Sequence, residues 1–139
     1  MVHVPTRNVT YLGAGPGLAM RQEDEHAPQP IAARAQPADG AIVLASRSHA
    51  NAEALDAYLE TQRVAGRIRA GSSLKFCLIA EGVADLYPRF GRTMEWDTAA
   101  AHAVLASAGG SVTTLDGAEL LYGKPGFENP HFIARGRAR

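Results

Sequence analysis

Asp97 and its neighbours form the segment of this chain best suited to chemistry. Asp97 stands between Trp96 and a run of small residues that ends at Gly109-Gly110. We predict that Asp97 is the N-cap of a helix, because its carboxylate can accept from the first free amides and suits the positive helix end. The Ala-rich run favours a helix, and the glycine pair ends it. One carboxylate oxygen stays available to Mg²⁺, which takes oxygen ligands. Asp97 is therefore either a metal ligand or a capping residue only.

A second segment, Gly71-Ser72-Ser73-Leu74-Lys75, opens a short apolar helix predicted over 74–80. Free amides, two hydroxyls and a lysine one turn along suit an anion. The alternative is a serine-capped helix with a surface lysine. Arg89 follows the strand predicted over 84–87 and is a further phosphate candidate, with an ordinary surface arginine as its alternative.

The third polar segment is Ser46-Arg47-Ser48-His49, which follows an apolar strand predicted over 41–45. Strand-to-helix junctions bring amides and polar side chains to one edge of an open α/β sheet, where ligands bind. Each of the three junctions is therefore a candidate to face a phosphorylated ligand. The alternative for this segment is a loop capped by Ser48 or Asn51.

Other reactive side chains are interpreted as structural. Cys77 lies on the apolar face of the short helix and is predicted to be a buried core residue. His102 and His131 have no partner at metal-ligand spacing and are assigned to packing or to the surface. The acidic run 23–25 is predicted to be a solvated loop.

The pattern of predicted secondary structure changes near residues 37–40. Before that point, strands are predicted at 2–4, 10–12 and 18–21, and a proline-rich connector follows. After it, strands and helices alternate, which is typical of an α/β domain. The predicted strands are 41–45, 64–68, 84–87, 111–114 and 131–134, and the predicted helices are 52–61, 74–80 and the one that Asp97 begins.

Composition excludes several classes of protein. Acidic and basic residues balance at 14 each among 139 residues, so nothing indicates a nucleic-acid or membrane-surface protein. One cysteine excludes an internal disulfide and fits a reducing compartment. No apolar run approaches the ~20 residues that span a bilayer. We expect a cytoplasmic protein, with peripheral association at the inner membrane as the alternative location.

Taken in order from about Ile42 to Ile133, the motifs resemble the inositol monophosphatase-like family of metal-dependent phosphatases. The resemblance is to the branch that dephosphorylates 3′(2′),5′-bisphosphate nucleotides. It rests on the motifs at 46–49, 71–77, 80–82, 86–91 and 96–100 with the trailing Gly109-Gly110. It implies an α/β fold: residues 39–139 form the family's C-terminal domain, a mixed sheet flanked by helices. Residues 1–38 would be a β-hairpin remnant of the N-terminal metal-binding domain with its linker.

The resemblance also implies a set of site residues. Asp97 would be a Mg²⁺ ligand, and His49 would contact the adenosine moiety. Lys75 would sit beside the non-scissile phosphate. The full substrate-binding set is Ser46, His49, Gly71, Ser72, Ser73, Lys75, Arg89 and Asp97.

Family members are longer, and their N-terminal half supplies a metal-binding Glu and an Asp-Pro-x-Asp-Gly-Thr loop. This chain has neither; its pairs Asp39-Gly40 and Asp116-Gly117 are predicted to be turns. The general base would lie in the absent half, so the chain would bind Mg²⁺ weakly and be inactive alone. Its unpaired hairpin edge would favour self-association.

The implied reaction is hydrolysis of adenosine 3′,5′-bisphosphate to AMP and phosphate. Two alternatives stay open. One is a phosphatase of the same superfamily that acts on inositol or other sugar phosphates. The other is a non-catalytic nucleotide-binding module, or a subunit that completes its site with a partner chain.

Overall fold

The computed structural model describes residues 1–45 and 52–138. The polar segment that contains Ser46 and His49 therefore lies outside the described residues, and the roles of these two residues stay predictions. The strands of the described part are β1 (Val2–Val4), β2 (Val9–Gly13), β3 (Ala19–Glu23), β4 (Gln29–Pro30), β5 (Ala41–Ala45), β6 (Val64–Arg69), β7 (Leu86–Arg89), β8 (Ser111–Thr114) and β9 (Phe132–Arg135). The helices are α1 (Ala52–Glu60), α2 (Leu74–Ala80) and α3 (Glu95–Ser107), with short 3₁₀ turns at Pro5–Arg7 and Pro125–Phe127.

The N-terminal strands form an antiparallel sheet in the order β1-β2-β3-β4. The predicted β-hairpin is thus extended to four strands, because residues 29–30 pair with β3. Val9, Tyr11 and Ala19 alternate with more exposed residues and point into the core. β1 lies at one edge of this sheet, and self-association through that edge stays a prediction.

The second sheet has the order β6-β5-β7-β9-β8. β5 pairs in parallel with β6 and β7, and β9 pairs antiparallel with β7 and β8. The predicted α/β class with a mixed sheet is therefore confirmed. β5 and β7 run in the same direction, so their carboxyl ends, at Ala45 and Arg89, lie at the same edge of the sheet.

Two helices fill the space between the sheets. Val9 and Tyr11 of the first sheet share one buried cluster with Ile79 of α2, Leu105 of α3 and Phe132 of the second sheet. Helix α1 covers the opposite face of the second sheet in a smaller cluster. The molecule is a stack of four layers, sheet, helices, sheet and helix. The predicted division near residue 38 therefore runs through a shared core, and a separate N-terminal unit stays a prediction.

Several predicted bounds agree with the structure, notably those of β5, α2 and β8. β7 begins two residues later than predicted, and Asp85 directly before it is held by hydrogen bonds to its neighbours. The Asp85 amide donates to the Ile42 carbonyl, and its side chain accepts from Arg34 and from the Ile42 amide. Helix α3 ends as predicted, since Gly109 has a φ of +88° that favours glycine. In the part of the chain that the structure describes, no helix has the length and apolar character to cross a membrane.

Candidate functional site

Asp97 lies three residues further into its helix than predicted. The N-cap of α3 is Met94, and Asp97 is the third helical residue. The predicted N-cap role is therefore wrong. Its carboxylate instead reaches back, and Oδ2 accepts from the Met94 amide at 2.8 Å, the geometry that acidic residues adopt at this position. The side chain is exposed, and within the described ranges Oδ1 has no hydrogen-bond partner.

The start of α3 is held by a second carboxylate, that of Glu95. Its two oxygens accept from the amides of Gly123 and Lys124, at 2.9 Å each. The Lys124 ammonium lies 2.7 Å from Glu95 Oε1. The hydrogen bond from Lys124 and the two amides lower the pKa of Glu95 to about 2. Glu95 stays ionised at neutral pH and ties the loop after β8 to the first turn of the helix.

Lys75 is buried beside the loop 71–73, with 3 % of its surface exposed. The alternative of a surface lysine is therefore wrong. Its ammonium donates to the carbonyls of Ser72, at 2.9 Å, and Ala70, at 3.3 Å. It also lies 4.7 Å from the centroid of the Tyr87 ring, within the range of a cation–π contact. The lysine is a fixed positive charge in the wall of the loop.

The loop itself has an unusual backbone. Ser72 has a φ of +52°, a region that residues other than glycine rarely adopt. Ser73 occupies the N-cap position of α2 but makes no side-chain capping hydrogen bond. The alternative in which this serine merely caps the helix is thus not what the structure shows. Strained backbone of this kind clusters at ligand-binding sites.

Two arginines lie at the carboxyl end of β7, since Arg89 is its last residue and Arg92 follows it. Arg89 is half-buried, and its Nη2 donates to the carbonyl of Arg92 at 3.1 Å. Gly91 leaves room for this guanidinium, since a Cβ there would lie 3.2 Å from Arg89 Cζ. Arg92 is exposed, and its Nε lies 3.1 Å from Glu128 Oε2.

These elements converge on one cleft of about 510 Å³, a size that suits a small ligand. Three cationic side chains and one carboxylate line it, so its electrostatic character favours an anion. The structure thus brings the described predicted site residues into one place. The lining residues are Ala70, Gly71, Ser72, Ser73, Lys75, Phe76, Tyr87, Arg89, Arg92, Thr93, Asp97 and Thr98.

A chain of buried polar groups lies behind the Asp97 side of the cleft. Asn129 Nδ2 donates to the hydroxyls of Thr98, at 3.1 Å, and Thr93, at 3.3 Å. The Tyr122 hydroxyl donates to Thr98 at 3.4 Å and lies 2.8 Å from His102 Nδ1. Burial lowers the pKa of His102 and raises that of Tyr122, which favours the neutral form of both side chains.

The other residues interpreted as structural are placed accordingly. Cys77 is fully buried, and burial raises the pKa of its thiol to about 12, with the Glu81 carboxylate acting in the same direction. The acidic residues 23–25 are exposed as predicted, but Glu23 is the last residue of β3 and not part of a loop. His131 is exposed and its ring lies 5.8 Å from that of Phe90. Across residues 1–45 and 52–138, no three His, Cys, Asp or Glu side chains cluster at metal-binding distance.

Sequence reasoning missed several residues of the cleft wall. Arg92 and Thr93 follow the same strand end as Arg89, so the junction rule that singled out Arg89 could have found them. Tyr87 and Thr98 have buried positions that no local pattern distinguishes from ordinary core. Asn129 lies far along the chain and reaches the wall only through the fold.

Comparison with known proteins agrees with this architecture. The model of the inositol monophosphatase family matches residues 1–136. The chain is 46 % identical to the 3′(2′),5′-bisphosphate nucleotidase CysQ of Escherichia coli (strain K12) over 133 residues, 95 % of this chain and 52 % of that protein. It is 67 % identical over 72 residues, 48 % of this chain, to an uncharacterized protein of Rhizobium leguminosarum bv. phaseoli, of which it covers 76 %.

Solved structures of related proteins have the same fold. The crystal structure of CysQ from Bacteroides thetaiotaomicron superposes with a TM-score of 0.78 at 33 % identity, over 99 % of this chain and 57 % of that one. An inositol monophosphatase from Anabaena shares the fold at a TM-score of 0.71 and 23 % identity, over 98 % and 52 %. The chain spans about half the length of the CysQ proteins it matches. With a family model that covers nearly its whole length, the chain belongs to the inositol monophosphatase family.

Proposed function

We propose that this chain provides the nucleotide-binding half of a Mg²⁺-dependent 3′(2′),5′-bisphosphate nucleotidase. The substrate would be adenosine 3′,5′-bisphosphate, and the products AMP and phosphate. The observation that carries the proposal is the convergence of the loop 71–73, Lys75, Arg89 and Asp97 on one cleft. The similarity to proteins named CysQ supports the choice of substrate.

The charges of the cleft suit a ligand with two phosphates. Lys75 would bind the non-scissile phosphate as a fixed charge, because its ammonium is already oriented by the carbonyls of Ala70 and Ser72. The guanidiniums of Arg89 and Arg92 lie on another part of the wall, where planar donors can bind phosphate oxygens in pairs. Ser46 would contact the nucleotide and His49 its adenosine moiety, as the family resemblance implies.

Asp97 fits one ligand position of a Mg²⁺ ion. The Met94 amide donates to Oδ2 and so fixes the orientation of the carboxylate. Oδ1 is accessible to solvent. When bound, Mg²⁺ supplies Lewis-acid stabilisation of phosphate charge and activation of water. A single carboxylate holds this ion weakly, because Mg²⁺ keeps most of its water. We therefore propose that the isolated chain binds nucleotide and has little or no hydrolytic activity.

Calorimetric titration of adenosine 3′,5′-bisphosphate into the chain, with and without Mg²⁺, tests the proposal. Phosphate release is then measured on the same sample. Binding that the substitution Arg89→Gln weakens, without turnover, supports it. Steady phosphate release would contradict the claim of inactivity, and absence of binding would contradict the proposal that this half recognises the nucleotide.

Competition distinguishes the alternatives. Inositol 1-phosphate that displaces the nucleotide at a lower concentration than AMP would favour an inositol-phosphate phosphatase. Nucleotide binding that is insensitive both to Mg²⁺ and to Asp97→Asn would favour a non-catalytic nucleotide-binding module.

A further inference from the structure

Asn129, just before β9, makes an unusual set of contacts for one residue. It is 5 % exposed. Its amide nitrogen Nδ2 donates to the hydroxyls of Thr93 and Thr98, and its backbone amide donates to the Thr93 carbonyl at 2.9 Å. One side chain therefore joins the loop after β7 to the first turn of α3.

The two threonines stand on either side of Asp97 in the chain. Thr93 precedes Met94, whose amide donates to the Asp97 carboxylate. Thr98 directly follows Asp97. Both threonines line the cleft. The Asn129 amide thus links the two backbone segments between which the Asp97 side chain is held. Among the described residues, it donates no hydrogen bond to Asp97 itself.

The neighbouring residue strengthens this connection. Glu128 forms an isolated antiparallel bridge with Met94, and its carboxylate pairs with Arg92 at 3.1 Å. Residues 128–129 therefore contact each of the three residues of the segment 92–94.

The position of Asn129 also has a cost. Its Oδ1 is buried and has no hydrogen-bond partner in the part of the chain that the structure describes. An unsatisfied buried acceptor is unfavourable, and an apolar side chain of similar size would avoid it. The two hydrogen bonds that Nδ2 donates act against this cost and give a geometric reason for asparagine at this position.

We propose that Asn129 is a positioning residue, which holds Asp97 and the threonine wall of the cleft in the arrangement that binds phosphorylated ligand. Removal of the side-chain amide of Asn129 changes none of the residues that line the cleft, but it lets the 92–94 segment move relative to α3. The ligand-binding part of this inference rests on the proposed function; the structural part does not.

Asn129→Ala is compared with Ser107→Ala, a matched control. Ser107 is equally buried, at 6 % exposed, and its hydroxyl also makes two hydrogen bonds, one to Ala103 and one from Gly15, at the far end of α3. The free energy of unfolding, the affinity for adenosine 3′,5′-bisphosphate and the hydrogen exchange of the Met94 amide are measured for both.

We expect Asn129→Ala to weaken nucleotide binding roughly tenfold, and Ser107→Ala to leave it unchanged at a comparable loss of stability. The Met94 amide should exchange faster in Asn129→Ala than in Ser107→Ala, because its acceptor is no longer held. Thr93→Val keeps the side-chain shape and removes one acceptor of Asn129, so it should change both readouts in the same direction by less. It also provides the test if Asn129→Ala does not fold.

Equal effects of Asn129→Ala and Ser107→Ala on affinity and on Met94 exchange would overturn the positioning role, as would wild-type values for Thr93→Val. If the unsubstituted chain does not bind nucleotide, the proposed function fails, and exchange at Met94 alone decides the role of Asn129.

Discussion

Lys75 and Lys124 are the only lysines of the chain, and the structure predicts opposite effects when each is replaced by methionine. Lys75 lines the cleft and is 3 % exposed. Lys124 pairs with Glu95 behind the start of α3 and does not line the cleft. Methionine keeps most of the apolar stem of either side chain and removes the charge.

For Lys75→Met the expected loss is in ligand binding. A hydrogen bond that involves a charged group contributes about 1.5–3 kcal/mol, and about 1.4 kcal/mol corresponds to tenfold in affinity. Burial of the ammonium reduces screening by salt. We therefore expect the affinity for adenosine 3′,5′-bisphosphate to fall roughly ten- to hundredfold.

The free energy of unfolding should change little in Lys75→Met. The carbonyls of Ala70 and Ser72 lose a donor, at about 1 kcal/mol each. The removal of a buried ammonium relieves a desolvation cost of several kcal/mol in the opposite direction. These terms have opposite signs and partly cancel.

Lys124→Met should show the reverse. Glu95 loses the partner that contributes most to its low pKa, so the free energy of unfolding should fall while nucleotide affinity stays unchanged. Calorimetry and urea denaturation of both variants provide the measurements. Wild-type affinity in Lys75→Met, or weakened binding in Lys124→Met alone, would refute the assignment of Lys75 to the ligand.

Three further predictions concern stability and reactivity. The pKa of Glu95, about 2 against an ordinary 4.5, means that its stabilising charge is complete above about pH 4.5 and is lost as the pH falls towards 2. The difference in unfolding free energy between wild type and Glu95→Gln should shrink over that interval, and a constant difference would contradict the assignment. Asp85→Ala should lower the unfolding free energy by about 2–3 kcal/mol in urea denaturation, because the side chain of Arg34 and the Ile42 amide lose their acceptor; a loss below about 0.5 kcal/mol would be inconsistent with this pair. Cys77, buried and with a thiol pKa raised to about 12, should react with a thiol reagent at pH 8 only as fast as the protein opens, and immediate reaction of the folded protein would contradict the structure.

The α/β class and most element bounds could be predicted because the local signals agree with the fold. The strand at 41–45 and the helix at 74–80 are apolar runs bounded by glycine or by small polar residues, and both match the structure. The cleft could be anticipated from strand-end junctions, since parallel strands bring their carboxyl ends to one edge.

Other features depend on long-range contacts that leave no local signal. Sequence reasoning misplaces the start of α3 because its N-cap, Met94, has no polar capping side chain. The helix start is held instead by the amides of residues 123–124, which donate to the Glu95 carboxylate. The burial of Lys75 follows from the packing of its helix between two sheets. Asn129 is separated from Thr93 by 36 residues, so its role is visible only in three dimensions.

Helices α2 and α3 carry Lys75 and Asp97, and both also pack against the N-terminal strands. Tyr11 of β2 donates to Glu81 at the end of α2, and Arg21 of β3 pairs with the same carboxylate. Ligand binding in the cleft should therefore stabilise strands that lie outside it, because the helices and the sheet share one core. Saturation with nucleotide should slow hydrogen exchange at the amides of β2 and β3, so that distant backbone reports occupancy of the cleft.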